Sequence, residues 1–118
     1  MKMYIAIRED FPDFMTPTLV AHSVIAAHIK FTERKVPEYQ KWLEESFKKV
    51  TVRVSRKEFN KIAQLPMVYG GREIHTCNGE ITCIVVCPTE KVPNVLKFAS
   101  LWKPTTKNTF DTLLVKLI

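Results

Sequence analysis

Hydrophobic and polar positions recur along this chain with two periods, and each change of period marks an element. Met3 to Arg8 is rich in Ile and Tyr and reads as a first strand. Glu9 to Met15, carrying Asp10, Pro12 and Asp13, reads as a loop. From Thr18 to Thr32 the period becomes helical, with Leu19, Val20, Val24, Ala27 and Phe31 on one apolar face. Thr16 is the natural N-cap of that helix, and Pro17 suits its first turn, where a missing N–H has no partner to lose. Ala21, Ala26 and Ala27 are small enough to let a sheet approach closely. After the polar break Glu33 to Lys35, Pro37 opens a second helix. Its predicted buried stripe is Tyr39, Trp42, Leu43 and Phe47.

Val50 to Val54 alternates and reads as a second strand. Ser55 and Glu58 match a capping box that starts a third helix, with Phe59, Ile62, Ala63 and Leu65 toward the core and Pro66 at its end. Met67 to Tyr69 is extended, Gly70-Gly71-Arg72 is expected as a flexible turn, and Arg72 to Cys77 as strand-like. Asn78-Gly79 is a hairpin signal. Glu80 to Cys87 is a β-branched run expected as a buried central strand. Glu90 to Trp102 is expected as a fourth helix with Pro93 in its first turn. Phe110 to Ile118 is a terminal strand or a docked helix.

This order predicts an α/β fold. We expect a three-layer domain whose mixed, roughly four-stranded sheet is covered by about four helices. Residues 1–118 read as one domain, with 104–118 a C-terminal extension. If the first two strands are parallel in one sheet, their connection is a right-handed crossover.

A hydrophobic content of 46% excludes a disordered chain. No apolar run approaches the roughly 20 residues that span a bilayer, so no membrane partner is expected. The N-terminal run is too short for a signal peptide, which points to the cytoplasm. The three cysteines, Cys77, Cys83 and Cys87, are an odd number in or beside a strand pattern. That fits a reduced compartment better than a disulfide framework. Residues four apart on one strand are about 13 Å apart, so Cys83 and Cys87 do not readily close around a metal. No metal or other cofactor is expected.

The net charge of +6 is unevenly placed. Lys48, Lys49, Arg53, Arg56, Lys57 and Lys61 lie in one stretch with a single acid, Glu58. Such a stretch is the footprint of a phosphate-rich partner or, more plainly, a solvated basic face. Glu9, Asp10 and Asp13 form either a cation site or an acidic loop.

These segments, in their order and spacing, resemble the second class of peptidyl-tRNA hydrolases, the archaeal and eukaryotic type. The likeness runs from about Met3 to Trp102. Arg8-Glu9-Asp10-Phe11 resembles the family's strand ending in Arg-x-Asp-Leu. Leu19-Val20-Ala21-His22 and Ala26-Ala27 are similar to its Leu-Ala-Ala-Gln and Ala-Ala. Trp42 followed by Lys48 to Val54 is similar to its Trp and Lys-Val-Val-Leu-Lys-Val strand. Gly70-Gly71-Arg72 resembles its Ala-Gly-Arg turn, and Gly79 to Pro88 its Gly-Thr-Val-Thr-Val-Leu-Gly-Ile-Gly-Pro strand. The chain departs from the family at Thr18 (lysine there), His22 (glutamine), Ile25 (histidine), Tyr69 (aspartate) and Glu73 (threonine).

The resemblance implies hydrolysis of the ester between a peptide and the 3′-terminal ribose of tRNA, a carboxylic ester hydrolase reaction. His22, Asp10 and Arg72 are then the catalytic candidates. His22 would be base or orienting group, and Arg72 would hold a phosphate or the oxyanion. The plain alternatives are a helix histidine bonded to a carbonyl and a surface arginine stabilising a turn. Arg8, Thr18, Ser23, Tyr69, Gly70, Gly71 and Glu73 would line the cleft. Lys30 would join Lys48, Lys49, Arg53, Arg56, Lys57 and Lys61 on RNA phosphates. His28 lies about 120° around the helix from His22 and reads as structural or exposed. The partner is tRNA or another RNA, and a homodimer is an open possibility. The competing reading is an inactive RNA-binding or protein-interaction module on the same fold.

Overall fold

The computed structural model describes residues 1–73 and 77–104, with Glu73 described by its backbone. It is an α/β fold built on one five-stranded mixed sheet in the order β3-β4-β1-β2-β5. The strands are β1 (Lys2–Arg8), β2 (Lys48–Val54), β3 (Val68–Glu73), β4 (Glu80–Val86) and β5 (Ser100–Leu101). The helices are α1 (Thr16–Glu33), α2 (Pro37–Lys41), α3 (Arg56–Ala63) and α4 (Asn94–Lys97). A short 3₁₀ turn (Asp13–Met15) leads into α1, and a π-helical turn (Trp42–Ser46) extends α2.

β1 lies near the centre. It pairs in parallel with β2, from Lys2↔Lys48 to Arg8↔Val54, and antiparallel with β4, from Tyr4↔Val86 to Ile7↔Cys83. Successive strand side chains point to opposite faces. Met3, Ile5, Ile7, Cys83 and Val85 therefore join Leu19, Ala27 and Phe31 of α1 and Tyr39 and Trp42 in one core. Ala6, Val52, Val54, Ile84 and Val86 join Phe59 and Ile62 of α3 and Leu96 of α4 in a second core. Two buried faces on one sheet make three layers.

Helix α1 starts two residues before the predicted Thr18. Thr16 is not its N-cap. Met15 precedes the helix, and the Thr16 hydroxyl, inside the first turn, donates to the Pro12 carbonyl at 3.1 Å. Of the three alanines only Ala27 is fully buried. A close approach to the sheet comes at Ser23, which lies on Gly71 of β3. A Cβ added to Gly71 would stand 2.0 Å from Ser23 Oγ and 2.9 Å from its Cβ.

Gly70-Gly71-Arg72 is thus strand, not turn. Gly70 pairs with Ile84, Gly71 with Cys83 and Arg72 with Ile81, and the register skips Thr82 at that point. The ladder to β4 outweighs glycine's preference for turns, and the missing side chain admits α1. Asn78-Gly79 does turn. Both residues have positive φ, +49° and +80°, and Glu80 N–H donates to Cys77 O at 2.8 Å. The Ser55/Glu58 capping box is present in both directions. Ala63, placed in the core from the pattern, is exposed.

The predicted fourth helix is reduced to one turn. A residue before proline is biased away from helix, so Val92 cannot carry a helix from Glu90 through Pro93. Pro93 instead precedes α4 in an extended conformation. Ser100 and Leu101 then pair with the open edge of β2, opposite Arg53 and Val52, which adds the fifth strand. Phe47, predicted in the buried stripe of the second helix, is 58% exposed. It ends the π turn with φ +58°, which swings its ring out of the stripe. Phe110 to Ile118 lies outside the described residues, as does most of the extension 104–118.

Gly71→Ala is expected to destabilise the protein by about 1–3 kcal/mol, because overpacking forces the helix off the sheet. Ser23→Ala in the same chain should recover only part of that loss, since the Ser23 Cβ is itself within the clash. Urea unfolding of the two variants and the parent checks both outcomes.

Candidate functional site

The described polar chemistry gathers at the C-terminal end of β1. Arg8 is only 6% exposed, and a buried guanidinium needs partners. Its Nε donates to Asp10 Oδ1 at 2.6 Å, and its Nη2 reaches Glu80 Oε2 at 3.2 Å. The guanidinium carbon stands 6.0 Å from the Phe59 ring centroid. Arg56, in the first turn of α3, donates to the other Asp10 oxygen at 3.0 Å. Asp10 therefore bridges two arginines, one from β1 and one from α3. The hydrogen bond from Arg8 holds its carboxyl below the ordinary carboxylate range, Arg56 lowers it further, and partial burial opposes both. A carboxylate committed this way is a poor proton acceptor and a good clamp.

A second pair lies alongside. Arg53 donates to Asp13 at 2.9 Å and to the Lys103 carbonyl at 2.8 Å, and it stands 5.2 Å over the Trp102 ring. It ties the loop after β1 and the segment after β5 to β2.

His22 is exposed on α1, one residue before the Ser23–Gly71 contact. Arg72 is exposed on β3, one residue after it. The two therefore flank one helix–strand contact at the edge of the sheet. Strand alternation sets Gly71 toward α1 and Arg72 toward the α3 side, so His22 and Arg72 bracket the edge. Asp10 belongs to the separate ion-pair cluster two strands away, and no described contact joins it to His22. Thr18 is exposed on α1. Lys30 lies 5.7 Å from the Tyr69 ring centroid, at the same α1–β3 boundary. His28 is half-buried, with Nδ1 2.8 Å from the Tyr39 hydroxyl.

Ser23 itself is fully buried, and its hydroxyl makes no conventional hydrogen bond. It lies near the Cys83 thiol, and it offsets a little of the burial that pushes that thiol up to about 11. Burial likewise pushes Cys87 up to about 11, with Glu38 adding to the effect. Both thiols are thus protonated and unreactive near neutrality. Among the described residues no three His, Cys, Asp or Glu side chains group to hold a metal ion.

The basic stretch does not form one patch. Lys48 and Lys49 stand at the start of β2, whereas Arg53, Arg56, Lys57 and Lys61 belong to its far end and to α3. Arg53 and Arg56 are already paired with aspartates. Lys57 and Lys61 are exposed and enter no ion pair among the described residues. Glu80 escaped the sequence reading, and Asp13, read there as part of a cation site or an acidic loop, is the partner of Arg53. The only sequence signal for Glu80 is its place just after the Asn-Gly turn, which returns the chain to the end of β1.

No family model matches the chain, and a search of curated proteins finds no match.

Asp10→Asn is expected to lower stability by about 1 kcal/mol at neutral pH, a modest figure because the carboxylate is partly exposed and screened. Its folded-state pKa is depressed, so the contribution is complete above the ordinary carboxylate value of about 3.9 and is lost as pH falls through the lower folded value. The gap between parent and variant should therefore close in acid, as read by denaturant unfolding at a series of pH values. Arg53→Glu should cost stability as well, because it leaves Asp13 facing a like charge. Lys57→Glu should leave the unfolding midpoint nearly unchanged, which thermal melts will separate.

Proposed function

We propose that this chain is a peptidyl-tRNA hydrolase-like protein that binds the acceptor end of tRNA in the cytoplasm and hydrolyses the ester between peptide and terminal ribose. The observation that carries the reading is the Ser23–Gly71 contact. It packs together two segments on which the likeness to the second class of these hydrolases rests, the helix wall ending in His22 and the strand Gly70-Gly71-Arg72. Ester hydrolysis needs an activated water and a donor for the developing oxyanion. His22, exposed at that contact, takes the proton of the water. Arg72 enters no ion pair among the described residues and supplies fixed positive charge to a phosphate or to the oxyanion. Asp10 acts through Arg8 and Arg56 as a positioning residue and not as the base. Lys57 and Lys61 add phosphate contacts from α3.

One observation favours the second reading, an inactive RNA-binding module. Arg72 and His22 bracket the sheet edge from its two sides, while Asp10 is already neutralised by two arginines.

Release of peptide from peptidyl-tRNA by the purified protein decides between the two. The parent should release peptide, and His22→Gln should lower the rate roughly 100-fold, a typical loss for one acid–base group, with tRNA affinity nearly intact. Binding of tRNA without release anywhere between about pH 5 and 9 would establish the binding module instead.

A further inference from the structure

At the end of the sheet away from Asp10, one aromatic ring is held out into solvent at a conformational cost. Phe47 joins the π turn to β2 with φ +58° and ψ +11°. This is the left-handed region, where a helix end ordinarily carries glycine and where a bulky side chain is a rare outlier. Its amide still closes the turn, donating to Trp42 O at 2.7 Å. The ring is nonetheless 58% exposed, so burial does not offset the strain.

The ring is also held in place. Lys49 Nζ stands 3.2 Å from its centroid and 5.3 Å from that of Trp42, and the two rings are 5.4 Å apart. The Lys49 ammonium further donates to the Phe47 carbonyl at 2.7 Å. Trp42 beneath is buried and anchored by its Nε1, which donates to Lys48 O at 2.8 Å. Lys49 thus lies over the Phe47 ring with Trp42 beside it, and the residue still stays exposed. Lys48 and its register partner across the parallel ladder, Lys2, are exposed at the same end of the sheet, on the face opposite Lys49. Of the nearby acids, Glu44 accepts from the Gln40 amide and Glu90 pairs with Lys41. Glu45 shares a shallow hollow with Lys48.

We infer that Phe47, with Lys49, is a stacking platform for an unpaired base of single-stranded RNA, with Lys48 and Lys2 holding phosphates where the strand passes over the end of the sheet. An exposed aromatic ring near ammonium groups meets both needs of a single strand, because every base has a π face and every linkage a negative charge. A paired duplex hides its bases and gains only the charge. The platform accounts for Lys48 and Lys49 standing far from the α3 cations: they serve a different part of the RNA. The inference rests on the reading of this chain as an RNA-binding protein, and not on ester hydrolysis.

Fluorescence anisotropy of the full chain tests it, with a labelled uridine oligomer of about 12 nucleotides and a paired RNA of similar length. The parent should prefer the single strand. Phe47→Leu keeps apolar bulk at the same strained position but has no π face, and it should weaken single-strand binding roughly tenfold while changing duplex binding little. Phe47→Gly, which relieves the strain and so guards against misfolding, should behave the same way, and Phe47→Trp should retain binding. If the parent binds the single strand and Phe47→Leu binds it equally well, the platform is overturned while the RNA reading stands. If the parent binds neither RNA, the RNA reading falls and the platform with it. A dimer of the parent that Phe47→Gly converts to monomer in sedimentation would overturn the platform in favour of an interface between copies.

Discussion

The architecture hangs on β1, the strand whose two neighbours are β2 and β4. Its alternation is clean: Met3, Ile5 and Ile7 serve one core, and Ala6 serves the other. A slip of one residue in either ladder would exchange the two faces and bury the wrong set. The parallel ladder to β2 and the antiparallel ladder to β4 therefore fix each other. With the sheet set, α1 and α2 have one face to cover and α3 and α4 the other.

The same alternation dictates the chemistry at the end of β1. Arg8 falls on the face of Ala6, under Phe59, where an unpaired guanidinium would be costly. Asp10 and Glu80 satisfy it, and Asp10 in turn draws in Arg56 from α3. One buried charge thus ties together β1, the following loop, β4 and α3. That clamp consumes a carboxylate which the Arg-x-Asp resemblance had placed among the catalytic groups. The proposed chemistry accordingly moves to the α1–β3 edge, where His22 and Arg72 remain exposed.

Glycine and proline show where local preference yields. Gly70-Gly71 carries a turn signal by composition, yet it forms strand because β4 supplies a ladder and Ser23 needs the space. Pro93 acts in the other direction, cutting a helical pattern that looked continuous from Glu90 to Trp102 and freeing Ser100 and Leu101 to lengthen the sheet. No helix of the described residues is long and apolar enough to cross a membrane.

The sequence alone determined the elements whose signals are local. The strand patterns of β1 and β2, the β-branched run of β4, the helical face Leu19-Ala27-Phe31, the Ser55/Glu58 box and the Asn78-Gly79 turn all depend on neighbours within a few residues, and all are legible. The α/β class followed from their order. What only the tertiary structure decided depends on residues far apart in the chain. Glu80 meets Arg8 across 72 positions, Arg56 meets Asp10 across 46, and Arg53 meets Asp13 across 40. No periodicity encodes such pairs, because charge attraction has no preferred sequence separation. For the same reason the single basic run of the sequence became two groups at opposite ends of β2: a strand carries its residues about 3.3 Å apart, and seven of them separate what composition had counted together.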